Sequence, residues 1–276
     1  MRLERDIELA LIELVRAAAR AEIMPRFRNL GAGAIKAKSS AIDLVTDADV
    51  AAEAHMSRAV SQILPQAVVI GEEAVSEDPG LLDQLPGADV AVILDPIDGT
   101  WNYANGLATF GVILAVTVRG QTVFGLLYDP VMDDWVEASL GGGAWFAAPN
   151  RSPQRLQVAA ERPFEEATGF LPHYLFPKAE QPRLTQGMVA ARRVNALCCS
   201  CHEYRMMAQG HADFVQTEGL NAWDHAAGVL AATEAGGFAQ LADGRAYAPT
   251  LSQGRLTVAT SASMRDEVIA AFGLGT

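Results

Sequence analysis

Residues Asp95-Pro96-Ile97-Asp98-Gly99-Thr100 put two carboxylates, a glycine and a hydroxyl into six consecutive positions. They follow Val90-Ala91-Val92-Ile93-Leu94, an apolar run that reads as a buried strand. Two negative charges where a strand stops repel each other unless a cation lies between them. Gly99 lets the backbone approach a ligand closely, and Thr100 offers a hydroxyl. The combination suits a hard metal on the carboxylates and a phosphate on the Gly99 and Thr100 amides. Glu72, in Gly71-Glu72-Glu73, ends a second apolar run, Ala67-Val68-Val69-Ile70. Far downstream, Trp223-Asp224-His225-Ala226-Ala227-Gly228 opens a helix of small residues. Asp224 lies near that helix start, where a carboxylate suits the dipole.

These three motifs, in this order and strand context, resemble the inositol monophosphatase family. The likeness extends to Lys38-Ser39-Ser40, to the stretch from Asp43 to Asp49, and to Thr233-Glu234-Ala235-Gly236-Gly237. It is weakest between about residues 151 and 201. The resemblance implies metal ligation by Glu72, Asp95, Asp98 and Asp224, with the Ile97 carbonyl completing one shell. An all-oxygen set points to Mg²⁺ rather than Zn²⁺, and two or three ions fit the family. Thr100 and Glu72 resemble the pair that positions the attacking water, although Thr100 also suits a helix cap. Asp49 matches a carboxylate close to that pair, or caps the second helix together with Asp47. Lys38 matches a lysine near the metals, or is a surface residue. The shared Asp98/Asp224 position implies lithium sensitivity.

Two departures fall on the substrate wall. Family members carry Gly-Ser/Thr-Ala-Ala where this chain has Cys198-Cys199-Ser200-Cys201. Inositol-specific relatives place a glutamate seven residues before Asp224, where this chain has Thr217, with Glu218 beside it. Ser200, Thr217 and Glu218 are therefore the expected substrate contacts. The resemblance implies hydrolysis of a small phosphate monoester, inositol monophosphate first. Histidinol phosphate, 3'-phosphoadenosine 5'-phosphate and fructose 1,6-bisphosphate are alternatives, and a non-catalytic metal-binding regulator is a further one. A second phosphate would want basic residues, for which Arg192-Arg193 are candidates. Trp101, Tyr103 and Trp223 suit an aromatic core behind the site, and His173 and Tyr174 a cap over it. Cys198, Cys199, Cys201 and His202 lie too close together for tetrahedral zinc and read as small buried thiols.

The elements that must hold these groups are legible in part. Ile7, Leu11, Leu14 and Ala18 share one helical face, so residues 3–22 read as an amphipathic helix. Residues 36–49 read as a loop or hairpin and 48–63 as a helix. Strands are expected near 67–71 and 89–95. Residues 110–119 and 121–129 form a hairpin around Arg119-Gly120-Gln121, with more strands at 134–146. Helices are expected at 203–209, 224–236 and 263–272. A shift to Pro, Asn, Ser and Arg at 148–155 divides the chain into an N-terminal half, 1–150, with the site between it and a C-terminal half, 151–276. The mixture predicts an α+β fold, and the resemblance sharpens it to a layered αβαβα sandwich. The chain has 276 residues, half of them apolar, and a formal net charge of −12. That charge makes nucleic acid and anionic membranes poor partners. Charged residues interrupt the N-terminal segment, so no signal peptide is read, and clustered cysteines suit a reducing cytoplasm. A small phosphomonoester is the expected partner, and the family often forms dimers.

Overall fold

A computed structural model describes residues 2–31, 33–40 and 43–275. The apolar runs lack alternation because their strands are covered on both faces. On the strand Val90–Asp98, Val92 and Leu94 point into one core, while Ala91 and Ile93 point into another. The strands are β1 (Ile35–Ser40), β2 (Asp43–Thr46), β3 (Val68–Gly71), β4 (Val90–Asp98), β5 (Gly111–Val118), β6 (Gln121–Asp129), β7 (Asp134–Ser139), β8 (Gly143–Ala147), β9 (Gln154–Arg155), β10 (Thr168–Phe170), β11 (Arg193–Asn195), β12 (Phe214–Glu218), β13 (Phe238–Leu241) and β14 (Arg255–Ala259). The helices are α1 (Arg5–Ala18), α2 (Asp47–Ile63), α3 (Glu72–Glu77), α4 (Thr100–Ala104), α5 (Gln181–Ala190), α6 (Ser200–Ala208), α7 (Ala222–Glu234) and α8 (Ala262–Phe272).

Strands β3 to β9 form one sheet in chain order, and β11-β10-β12-β14-β13 form a second. Helices α1 and α2 cover the outer face of the first sheet, and α6 and α7 pack between the two sheets. Helices α5 and α8 cover the far face of the second. The order is α-β-α-β-α, as expected. The middle layer fits because its residues are small. A Cβ on Gly125 would lie 2.9 Å from the Ala227 Cα, and one on Gly228 would lie 2.1 Å from the Tyr204 ring.

Several expectations change. The first helix is α-helical only to Ala18; Ala19–Ile23 winds wider, and the Tyr103 hydroxyl donates to the Ile23 carbonyl at 2.8 Å. Residues 36–49 do form a hairpin, β1 with β2, though positions 41 and 42 lie outside the described residues. The β4 strand does not stop at Asp95. It runs to Asp98 through a bulge, pairing Asp95 with Ile113 and Asp98 with Gly111. Pro96, with no N–H to donate, fits inside that bulge. The second half holds the five strands of the second sheet and α5 where the sequence predicts only helices. These strands have three to five residues, too short for a pattern of their own. Among the described residues, no helix is long and apolar enough to cross a membrane.

Gly228→Ala should shift or strain the Tyr204 ring, which is fully buried. The expected cost is about 1–3 kcal/mol, read as a lower urea midpoint with an unchanged slope. An unaltered midpoint would show that the middle layer has slack.

Candidate active site

Strand register brings the acids together. β3 and β4 are parallel with Gly71 opposite Leu94, so the next residues lie side by side: Glu72, where the chain leaves the sheet, and Asp95, which stays in β4. The bulge then returns Asp98 to the same edge, and α7 delivers Asp224 from the middle layer. One oxygen each from Asp95, Asp98 and Asp224 lies within 4.8 Å of the others. Burial and the neighbouring acids push Asp95 and Asp224 well above the usual carboxylate range. Burial likewise raises Asp98 to about 6, although the Cys201 amide and the Cys199 thiol both donate to its Oδ2, at 2.5 and 3.1 Å. Asn221 donates to Asp224 Oδ2 at 3.0 Å. Asp95 Oδ1 is buried and has no hydrogen-bond partner among the described residues. That is an expensive state unless a cation takes the oxygen.

Glu72 is held from behind. Lys38 Nζ, on β1, reaches Glu72 Oε1 at 2.9 Å and Glu73 Oε1 at 2.7 Å. Burial opposes the Lys38 charge, but the two glutamates outweigh it and raise its pKa. Beneath this, the Glu53 carboxylate accepts from the Glu73 and Ala74 amides at 2.8 and 2.9 Å. It closes the otherwise open amides of the α3 start. A Cβ on Gly71 would sit 2.2 Å from the Glu53 carboxyl carbon, so the glycine makes room for this clamp. The sequence reading missed Glu53. Its only signal is a charged residue on the inward face of α2.

Thr100 starts α4, and Gly99 precedes it in the left-handed region at φ +87°. A Cβ there would lie 3.0 Å from the Thr109 carbonyl, so Gly99 is required twice over. The position before α4 is Gly99 with no side-chain cap, so Thr100 is not a helix cap. Its hydroxyl lies 2.9 Å from the Ile97 carbonyl and 3.3 Å from Asp49 Oδ1. Asp49 completes a capping box on α2: its Oδ2 accepts from the Thr46 amide and hydroxyl, while Thr46 Oγ1 accepts from the Ala48 amide. Burial raises its pKa to about 7. Asp49 thus serves as a helix cap and lies against Thr100.

Glu72, Asp95, Asp98, Thr100 and Asp224 floor a cleft of about 760 Å³ whose lining comes from residues 44–101 and 172–225. Gly99, Ser200, Thr217 and Glu218 line it. Glu218 is paired with Arg255 at 2.8 Å, and Arg255 also bridges to Glu180 at 2.7 Å. The other expectations separate. Arg192 and Arg193 are exposed on the β11 edge and do not line the cleft. Tyr103 is buried beneath α1, whereas Trp101 and Trp223 line the cleft itself. Tyr174 lines it and His173 does not. Cys199 and Cys201 are buried, but Cys198 is exposed, with the Tyr174 hydroxyl donating to its sulfur at 3.2 Å. Two more polar groups escaped the sequence reading. Asn102 donates to the Thr109 and Leu197 carbonyls at 2.8 Å, pinning the Cys198 loop to α4. Buried Glu203 accepts from the Leu197 amide at 2.8 Å, and burial raises its pKa to about 8.

A five-layered α+β sandwich with an acidic cluster in the cleft between its two sheets defines the class. The inositol monophosphatase family model matches residues 4–273. The chain belongs to that family, a family of phosphatases. It is 30% identical to an inositol-1-monophosphatase of Mycobacterium bovis, over 88% of this chain and 82% of that protein. It is 28% identical to a fructose-1,6-bisphosphatase/inositol-1-monophosphatase of Thermotoga maritima, over 74% and 73%. It is 32% identical to the Nus factor SuhB of Haemophilus influenzae, over 71% of each. In fold it is similar to an inositol monophosphatase structure from Thermotoga maritima, with a TM-score of 0.81, 23% identity and 98% of both chains covered.

Two measurements test this geometry. Glu53→Gln replaces one of two acceptors with an amide that faces a backbone N–H, so stability should fall by about 1–3 kcal/mol. A urea midpoint equal to that of the parent would remove the clamp. The second concerns pH. Asp49 and Glu203, at about 7 and 8, sit above their unfolded values, so the folded state binds protons more tightly. Their stabilisation is complete below about pH 4 and is lost as pH rises through 7–8. His225, lowered to about 4 by burial, works in the opposite sense, chiefly below pH 6.5. Metal-free protein should therefore melt at a higher temperature at pH 6.5 than at pH 8.0, and Mg²⁺ should recover the loss. A melting temperature that rises between those pH values would contradict the assignment.

Proposed function

We propose that the chain is a Mg²⁺-dependent phosphomonoesterase for small phosphate monoesters, inositol monophosphate among them. The observation that carries this reading is the buried, unpartnered Asp95 Oδ1 inside a cluster of acids, next to the Thr100–Asp49 pair. The donors are all oxygens, which fits a hard divalent cation. Glu72, Asp95, Asp98, Asp224 and the Ile97 carbonyl would hold it. When bound, such a cation neutralises phosphate charge and makes water more acidic.

The chain's own groups then orient the reactants. Thr100 gives its proton to Ile97 or Asp49 and keeps lone pairs free to accept from a water. Lys38 occupies one oxygen of Glu72, leaving the other to accept from the same water. The two acceptors aim its oxygen at phosphorus, in line with the bond to the alcohol. As the new bond forms the attacking water gives a proton to Glu72, the phosphorus–alcohol bond breaks and the departing alkoxide takes a proton from solvent, so water and monoester become phosphate and alcohol with no covalent enzyme intermediate. The Gly99 and Thr100 amides take phosphate oxygens. Positioning and fixed charge do most of the work. A non-catalytic regulator on the same fold would have no use for the Lys38–Glu72 and Thr100–Asp49 arrangements, and both are intact here.

Phosphate release should require Mg²⁺ and stop on chelation. Asp224→Asn, folded as the parent, should lose turnover on the order of a hundredfold at limiting Mg²⁺. Full activity in excess chelator, with metal shown to be absent, would sink the mechanism. Near-parent turnover by the variant would remove Asp224 from it.

A further inference from the structure

The cleft has an acidic floor but no cationic wall. No lysine or arginine lines it, and no residue outside the described ones is basic. Lys38 has its ammonium on Glu72 and Glu73, and Arg255 has its guanidinium on Glu218 and Glu180. A second phosphate on the substrate would therefore meet no unspent positive side chain.

Several polar groups of the upper wall are already engaged, and Ser200 adds one further hydroxyl. The Tyr174 hydroxyl donates to Cys198, Glu203 accepts from the Leu197 amide, and Asn221 donates to Asp224. Thr217 is only 6% exposed. What the cleft presents instead is hydrocarbon and ring. Trp101 and Leu175 are 40% and 51% exposed, and both line it. Half-buried Trp223 continues the same surface. A polyol placed there exchanges water for apolar wall at several hydroxyls, each a cost. A flat apolar body gains burial and stacking.

We propose that this cleft selects monophosphates whose alcohol carries an aromatic or otherwise apolar body, and disfavours polyol phosphates and bisphosphates. The proposal rests on the phosphatase reading and names the substrate class of that same site.

The test compares kcat/KM for ethyl phosphate, 2-phenylethyl phosphate, inositol 1-phosphate and fructose 1,6-bisphosphate, using the full chain with Mg²⁺. Ethanol and 2-phenylethanol are leaving groups of similar acidity, so their ratio reports the wall and not intrinsic reactivity. The phenylethyl ester should exceed the ethyl ester, and inositol 1-phosphate, by about tenfold or more. Leu175→Asp and Trp101→Ala should each bring the phenylethyl-to-ethyl ratio down towards one. Both side chains are exposed, so neither replacement empties the core. A wild-type ratio near one overturns the proposal while leaving the phosphatase reading intact. So does inositol 1-phosphate or fructose 1,6-bisphosphate as the best substrate, or a ratio that both variants leave unchanged. Hydrolysis of none of the four overturns the phosphatase reading, and this one with it.

Discussion

Mutual repulsion among buried carboxylates is the constraint around which this molecule is arranged. Asp95, Asp98 and Asp224 converge with Glu72 close by; burial first, then the charges of Glu72 and Asp98, raise the proton affinity of both Asp95 and Asp224. The chain does not relieve this by moving them apart. It holds them in place with small, specific contacts: the Cys201 amide and Cys199 thiol on Asp98, Asn221 on Asp224, Lys38 on Glu72. Glu53 fixes the backbone from which Glu72 and Glu73 project. Asp95 Oδ1 is left with nothing. A protein selected only for stability would replace such a cluster with apolar residues of similar volume. Its presence in this chain is understandable as preorganisation for a cation and a phosphate.

Layering makes that precision possible. The acids stand on strand ends and on a helix locked between two sheets, so little can shift without moving a core. Gly125 lets the α7 backbone at Ala227 come down onto the first sheet, and Gly228 makes room on α7 for the Tyr204 ring. Asp224 is carried at the start of that helix and inherits its rigidity. The substrate wall has a different character. Tyr174 and Leu175 belong to a short turn, and Trp101 to a five-residue helix. Such segments vary at lower cost to the fold than the floor does.

The floor was legible in the sequence because each of its motifs is local. Asp95 to Thr100 is contiguous, and the strand before it is an unmistakable apolar run. The α+β class and the strands near 67–71, 89–95, 110–119 and 121–129 followed from similar runs. Other features depend on contacts across the chain that no local pattern announces. Glu53 reads as an ordinary helix glutamate until Gly71 is seen to accommodate it. Thr100 reads equally as a water-positioning hydroxyl and as a cap until Gly99 is seen to precede the helix and the Ile97 carbonyl and Asp49 to lie within reach of its hydroxyl. The second sheet was hidden because Thr168–Phe170 and Arg193–Asn195 are three residues each and owe their shape to their neighbours. Arg192 and Arg193 looked like phosphate ligands by charge alone, and the turn of β11 sends them elsewhere.

The middle helical layer also fixes the order in which the protein can mature. Ile93, Ile113, Ala115 and Leu127 on the first sheet are covered by residues drawn largely from α6 and α7. Those helices begin at Ser200 and Ala222, long after the first sheet has been made. A growing chain can pair β3 through β8 and dock α1 and α2 on the outer face, but its inner face stays bare. Synthesis thus passes through a stage with an uncovered apolar sheet and a set of acids still missing Asp224. Such surfaces favour association with other chains. Nascent copies that stall near residue 200 are the ones most in need of a chaperone, and the helix that ends the exposure is the same one that completes the site.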